Sequence, residues 1–229
     1  MNEKERTDLT DLTDLTEFLF PDRVTDQVVL NELLNTAPTA ERIGRFKYRE
    51  KEKTKDLCLQ IHKDKILAYC NNTPDSPPCV LKSRDETESF CLELFECERA
   101  MEPFAHGIPA LLMSKKRFEE LKKGSDSSTV HRLSECLAAE TGDDVHSNHL
   151  ARVMKCFDAE GELRLCISSD NGWKFQYASF ISDHSSGWLL RMSSDPSQDW
   201  IVALPISKAQ LCSSVAEWVL DSSSFPTSQ

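Results

Sequence analysis

The residues best suited to chemistry in this chain are its nine cysteines and one short cluster of acids and histidines. The cysteines are Cys58, Cys70, Cys79, Cys91, Cys97, Cys136, Cys156, Cys166 and Cys212. Their number is odd and no two have CxxC spacing, which argues against a zinc ribbon or a thioredoxin-type motif. Most lie in apolar runs such as LCLQIH, SFCLELF and LRLCIS, so they read as small buried hydrophobes kept reduced. Exposed thiols open to oxidation are the other reading. The cluster is DDVHSNH, with Asp143, Asp144, His146 and His149. Histidines at i, i+3 would share one helix face and could hold a metal. The stretch is polar on both sides, however, with no apolar shell to orient ligands, and reads as a solvated loop. GxSxG, HExxH and phosphate-cradling glycine motifs are all absent. The expectation is therefore no catalytic residue, no metal, no cofactor and no enzyme. Asp22 and Asp26 stand just beyond TEFLF and are candidates for cutting by an Asp-specific protease.

The net charge of −11 is concentrated in the first 41 residues, which open with a threefold DLT. That balance excludes a general nucleic-acid binder, which needs positive charge to displace counterions. Leu9, Leu12, Leu15 and Leu19 could stripe a short helix ended by Pro21, and Thr25–Asn35 reads as a second helix. We read 1–45 as an acidic, propeptide-like leader, partly helical or disordered. A basic run follows, from Arg42 to Lys55. It reads as a solvated hinge, with a processing or docking site as the alternative. No apolar run is long enough to span a bilayer, so no membrane insertion is expected. The acidic start lacks the features of a secretory signal, which implies synthesis in the cytoplasm.

The rest of the chain reads as short strands. DLCLQIH, KILAYC, CVLKS, SFCLELFEC, IPALLM, ARVMKCF, ELRLCIS, WKFQYASFIS, GWLLRM, DWIVALPI and VAEWVL each carry strand-like apolar patterning. RFEELKKG reads as a helical turn capped by Gly124, and VHRLSECLAAE fits either helix or strand. About twelve strands divided by turn segments such as SDNG give an all-β expectation: barrel, sandwich or trefoil. Seven glycines are few for so many turns.

SDNGWKFQYASF followed by GWLL resembles the C-terminal signature of interleukin-1 family cytokines. The residues carrying the resemblance are Phe175, Gln176, Tyr177, Ala178 and Ser179, then Gly187, Trp188, Leu189 and Leu190. Of these, Phe175, Ala178, Gly187, Trp188 and Leu189 are the family-signature core. The resemblance implies an all-β β-trefoil over 46–221 behind the leader 1–45, with 222–229 as a tail. It implies a monomeric, leaderless precursor that is cytoplasmic until unconventional secretion. Its partner would be an immunoglobulin-like receptor ectodomain, engaged as agonist or antagonist in immune signalling. The alternative is an intracellular acidic interaction protein, an adaptor or a pathogen-encoded antagonist of host signalling. TDLTDLTEFLF would then be a docking helix for a partner's groove, with Leu12, Leu15 and Phe18 as its contacts.

Overall fold

RIGRFKYRE alternates, placing Phe46 and Tyr48 on one side and Ile43, Arg45, Lys47 and Arg49 on the other. That is the period of a strand. The basic run is accordingly no hinge but strand β1 (Arg42–Glu50), which begins inside the expected leader segment. It pairs over its full length with β2 (Lys53–Ile61) on one side and β6 (Ala159–Ser169) on the other. The computed structural model describes residues 13–21, 31, 34–70, 78–94, 96, 110–170, 172–183, 186–192, 198–207 and 210–215.

Around β1 the chain builds one antiparallel sheet of nine strands, in the order β4-β3-β2-β1-β6-β7-β8-β9-β5. The remaining strands are β3 (Ile66–Cys70), β4 (Cys79–Leu81), β5 (Leu111–Met113), β7 (Gly172–Ser182), β8 (Gly187–Met192) and β9 (Ile201–Ile206). Two meanders, β1–β4 and β6–β9, meet at the β1–β6 seam. The short strand β5 closes the far edge against β9. An open sheet with helices on its faces is an α+β architecture. It overturns the expected β-trefoil, which needs about twelve strands in three repeats.

Three stretches expected as strands are helical. SFCLELF lies in α1 (Arg84–Leu94), and ARVMKCF ends α4 (Asp144–Cys156). The start of VAEWVL closes a helical segment over 210–215, and the rest of it lies outside the described residues. The ambiguous VHRLSECLAAE is α3 (Val130–Thr141), and RFEELKKG falls in α2 (Lys115–Gly124) as expected. The caps give the reason. At 207–210, Gln210 N donates to Ser207 Oγ at 3.2 Å and Ser207 N donates to Gln210 Oε1 at 2.9 Å, a reciprocal capping box. Glu86 N donates to Ser83 Oγ and Lys82 N to Glu86 Oε2, a close variant that starts α1. Asp143 accepts from His146 N at 2.9 Å and starts α4, so DDVHSNH is a helix N-terminus rather than a loop. Between α3 and α4 the chain turns at Gly142, whose φ of 73° is left-handed and suits glycine.

The sheet buries both faces. On face A, Phe46, Tyr48, Leu57, Leu163 and Phe180 pack with Cys91 and Leu92 of α1 and Leu211 and Val215 of the 210–215 segment. On face B, α2–α4 cover the β7–β9 and β5 side through Leu121, Leu133, Leu137, Leu150 and Met154. The other side of face B is covered by residues 13–20, whose helical stretch 13–19 places Leu15 and Leu19 fully out of solvent. This segment is docked on the sheet, so Leu15 and Leu19 of the stripe are helical as expected but not loosely attached, while Leu9 and Leu12 lie outside the described residues.

Gly161 stands in register between Tyr48 and Phe180, whose rings stack at 5.5 Å with 7° between their planes. A Cβ at Gly161 would collide with the Phe180 ring and with the Lys47 carbonyl oxygen. The carbonyl belongs to the backbone and cannot rotate aside. Gly161→Ala should therefore lower the unfolding free energy by about 1–3 kcal/mol, read from the urea midpoint at an unchanged slope.

Candidate functional site

One row of residues crosses face B through successive strand pairings. It runs Tyr69, Cys58, Arg45, Arg164, Tyr177, Met192, Ile201 and Met113. Its ends lie under the two helical covers. Its centre, at the β1–β6 seam, sets two arginines directly opposite each other. Like charges so placed repel, and each arginine has its own carboxylate. Arg45 forms a two-pronged ion pair with Asp56, with Nε donating to Oδ1 at 2.8 Å, and both side chains are nearly buried. Arg164 Nη2 donates to Glu162 Oε2 at 2.7 Å. Burial by itself would lower the Arg45 pKa, but the hydrogen bond and charge of Asp56 outweigh it, and the net shift is upward.

Towards the β1–β2 turn the seam opens. Arg49 pairs with Glu160, and the Arg49 side chain is 60% exposed against 6% for Arg45. Here, among the described residues, face B lies open beside α2. The opening is a cleft of about 420 Å³, lined by Lys47, Arg49, Glu162 and Tyr177 from the sheet and by Glu119 and Lys122 from α2. A second hollow of about 520 Å³ adjoins it through Tyr177, Glu119 and Met192 and reaches Phe18. Ser114 and Asp199 hold α2 at the rim. Ser114 accepts from Arg117 N and donates to Asp199 Oδ2 at 2.6 Å, while Lys116 N donates to Asp199 Oδ1 at 2.9 Å. The Ser114 hydroxyl and these backbone donors hold the Asp199 carboxyl below its ordinary range.

Tyr177 sits under Arg164, whose guanidinium carbon is 4.9 Å from its ring centroid. Burial, and then the charge of Glu162, push its phenol up to about 12. The thiols shift the same way. Burial raises Cys58 and Cys166, and Cys91 to about 12. All eight cysteines within the described residues are free, and Cys79 and Cys156 are exposed. Elevated thiols are poor nucleophiles at neutral pH. His146 and His149 do share a helix face, packed over the Trp188 ring at 6.5 and 5.5 Å. His146 bonds to Asp143, and His149 Nε2 lies 2.9 Å from Ser186 Oγ. Among the described residues no three His, Cys, Asp or Glu side chains are placed to hold a metal.

Asp22 and Asp26 lie outside the described residues. Phe175 and Ala178 are on β7, and Gly187, Trp188 and Leu189 on β8. The last four are buried, and Phe175 is half-buried against Phe18. They form adjacent strands of the open sheet and carry no cytokine role. Sequence reasoning gave Arg45, Lys47 and Arg49 a docking role only as the alternative to a hinge, and missed Glu162 and Arg164. The signal for the first three was the strict alternation of RIGRFKYRE.

No protein-family model and no curated protein matches the chain. Its fold is similar to that of a solved chaperone. The match is EspG5 of the Mycobacterium tuberculosis type VII secretion system, in complex with the PE25–PPE41 dimer. The TM-score is 0.56 at 11% identity, over 93% of this chain and 83% of that chain. The likeness is one of architecture. Together with the nine-stranded sheet it overturns the interleukin-1 resemblance, the receptor-ligand function and the immunoglobulin-like receptor as partner. The adaptor alternative has no support either, because Leu15 and Phe18, expected to enter a partner's groove, pack on the chain's own sheet. Leu12 lies outside the described residues.

Two measurements follow. Asp56→Ala leaves Arg45 buried without its carboxylate and should cost about 3–5 kcal/mol of stability in equilibrium unfolding. For Tyr177 the folded pKa lies above the ordinary value of 10, so the folded state keeps its proton longer than the unfolded chain. That contribution is full below pH 10 and is lost as the pH rises towards 12. Wild type should therefore lose more unfolding free energy than Tyr177→Phe across that window.

Proposed function

We propose that the chain is a chaperone-like binding protein that holds a protein partner against face B, at the cleft beside α2. The observation that carries this is the cleft itself. It is a stretch of sheet left uncovered among the described residues, with Lys47, Arg49 and Lys122 interleaved with Glu119, Glu160 and Glu162. Mixed charge around an aromatic centre suits a polypeptide surface with charges of both signs, and complementary placement of that kind sets partner choice and register. The similarity of the fold to a chaperone solved with a bound PE25–PPE41 dimer supports the same reading. We further propose that the chain is not an enzyme. In support, the buried thiols and the Tyr177 phenol are pushed up, away from the nucleophilic state.

Site-specific photo-crosslinking tests the reading. A photoreactive residue at Glu119 should capture one protein in the native cell. The same residue at Val80, exposed on the β4 edge, should not. With that protein purified, Arg49→Glu combined with Lys122→Glu should weaken binding about tenfold or more, or ~1.4 kcal/mol, at an unchanged thermal midpoint. Equal labelling at both positions, or unchanged affinity, would sink the proposal.

A further inference from the structure

The helical segment on face B ends in an unusual way. The last turn of a helix leaves carbonyl oxygens without intrahelical partners and carries the negative end of the dipole. At the end of the 13–19 helix two of these carbonyls are met by arginines of the sheet. Arg164 Nη1 donates to Phe18 O at 2.9 Å, and Arg45 Nη1 donates to Leu19 O at 2.7 Å. The same guanidiniums cover the aromatic rings of the segment, Arg45 over Phe20 at 4.5 Å and Arg164 over Phe18 at 5.5 Å. Phe18 also packs on Phe175 at 4.8 Å, and Leu15 and Leu19 are fully buried beside Ile43 and Tyr69.

Each arginine also has a carboxylate partner within the sheet: Asp56 for Arg45 and Glu162 for Arg164. The segment meets the sheet through its leucines, its aromatics and two carbonyls. It is an acidic amphipathic helix seated at this site, and Asp14 and Glu17 stay exposed. The site borders the adjoining hollow, which Phe18 lines.

We propose that this half of face B is a docking site for the C-terminal turn of an acidic amphipathic helix from a partner protein, and that residues 13–20 occupy it as an intramolecular stand-in. The matching partner helix carries leucines four residues apart, with aromatic side chains flanking the second as Phe18 and Phe20 flank Leu19. Its last carbonyls replace those of Phe18 and Leu19 on the two arginines. The segment then sets a threshold: a partner helix must out-compete it, which lowers the apparent affinity by the fraction of chains in which the site is covered. The inference rests on the reading of face B as the binding face, which it extends to the half beside the cleft.

The probe is a fluorescein-labelled peptide with the sequence of residues 8–21, titrated into the full-length chain and followed by anisotropy. Phe18→Ala with Phe20→Ala loosens the resident segment and should tighten peptide binding at least tenfold over wild type. Adding Arg164→Gln should cancel the gain. Amide hydrogen exchange on the unaltered chain supplies a readout that no variant can compromise: residues 13–20 should open more readily than β1. Equal peptide binding by wild type and the double-alanine chain would overturn the proposal. So would exchange of residues 13–20 only through global unfolding, or trading of the segment between two copies in a concentration-dependent dimer. None of these outcomes bears on crosslinking at Glu119, so failure here is distinct from failure of the binding-protein reading.

Discussion

Two guanidiniums that face each other across neighbouring strands set the terms for the rest of this structure. Arg45 and Arg164 are direct partners in the β1–β6 ladder at the middle of the sheet. The repulsion is tolerable because Asp56, diagonal to Arg45 on β2, and Glu162, two residues from Arg164 on β6, take one charge each. A polar centre of this kind cannot be sealed by an apolar helix without stranding charge. The cover on face B is therefore split. One part is a short segment whose carbonyls can accept from arginine. The other is a three-helix layer that stops at the rim. The hollow that Phe18 lines lies between them, and the cleft adjoins it.

Face A shows the opposite solution. The seam there carries Phe46, Tyr48, Leu163 and Phe180, with Gly161 giving the Tyr48 and Phe180 rings room to stack. The seam on that side is apolar, and α1 and the 210–215 segment close over it. Ser213 Oγ donates to Glu88 Oε1 at 2.7 Å and ties these two covers together. One face of the sheet is thus a sealed core and the other is a working surface, and the same nine strands supply both.

The helices that read as strands share a physical reason. SFCLELF alternates by coincidence of composition, and periodicity over so few residues does not separate strand from buried helix. The capping residues did carry the information. Ser83 and Glu86 before α1, and Ser207 and Gln210 before the last segment, have the three-residue offset of a capping box, and Asp143 stands three residues ahead of His146. Helices α1–α4 also account for the few glycines, since helical connections replaced many of the expected hairpin turns.

Local pattern alone determined a good deal. It marked β2–β9 as strands, α2 as a helix, and the Trp173–Met192 stretch as two apolar strands with a polar break. It also put a leucine-striped helix ahead of Pro21. Each of these depends on residues within one or two turns of one another. The tertiary structure decided the rest. It decided that a basic run is an interior strand, because only pairing on both sides buries Phe46 and Tyr48 and gives Arg45 a carboxylate. It decided that β7 and β8 belong to an open sheet and not to a trefoil, since strand order lies beyond the reach of any local pattern. It also brought Arg45, Arg164 and Tyr177 into one row beneath Phe18. Register joins residues far apart in the chain, and a site built on register becomes legible only when the strands are paired.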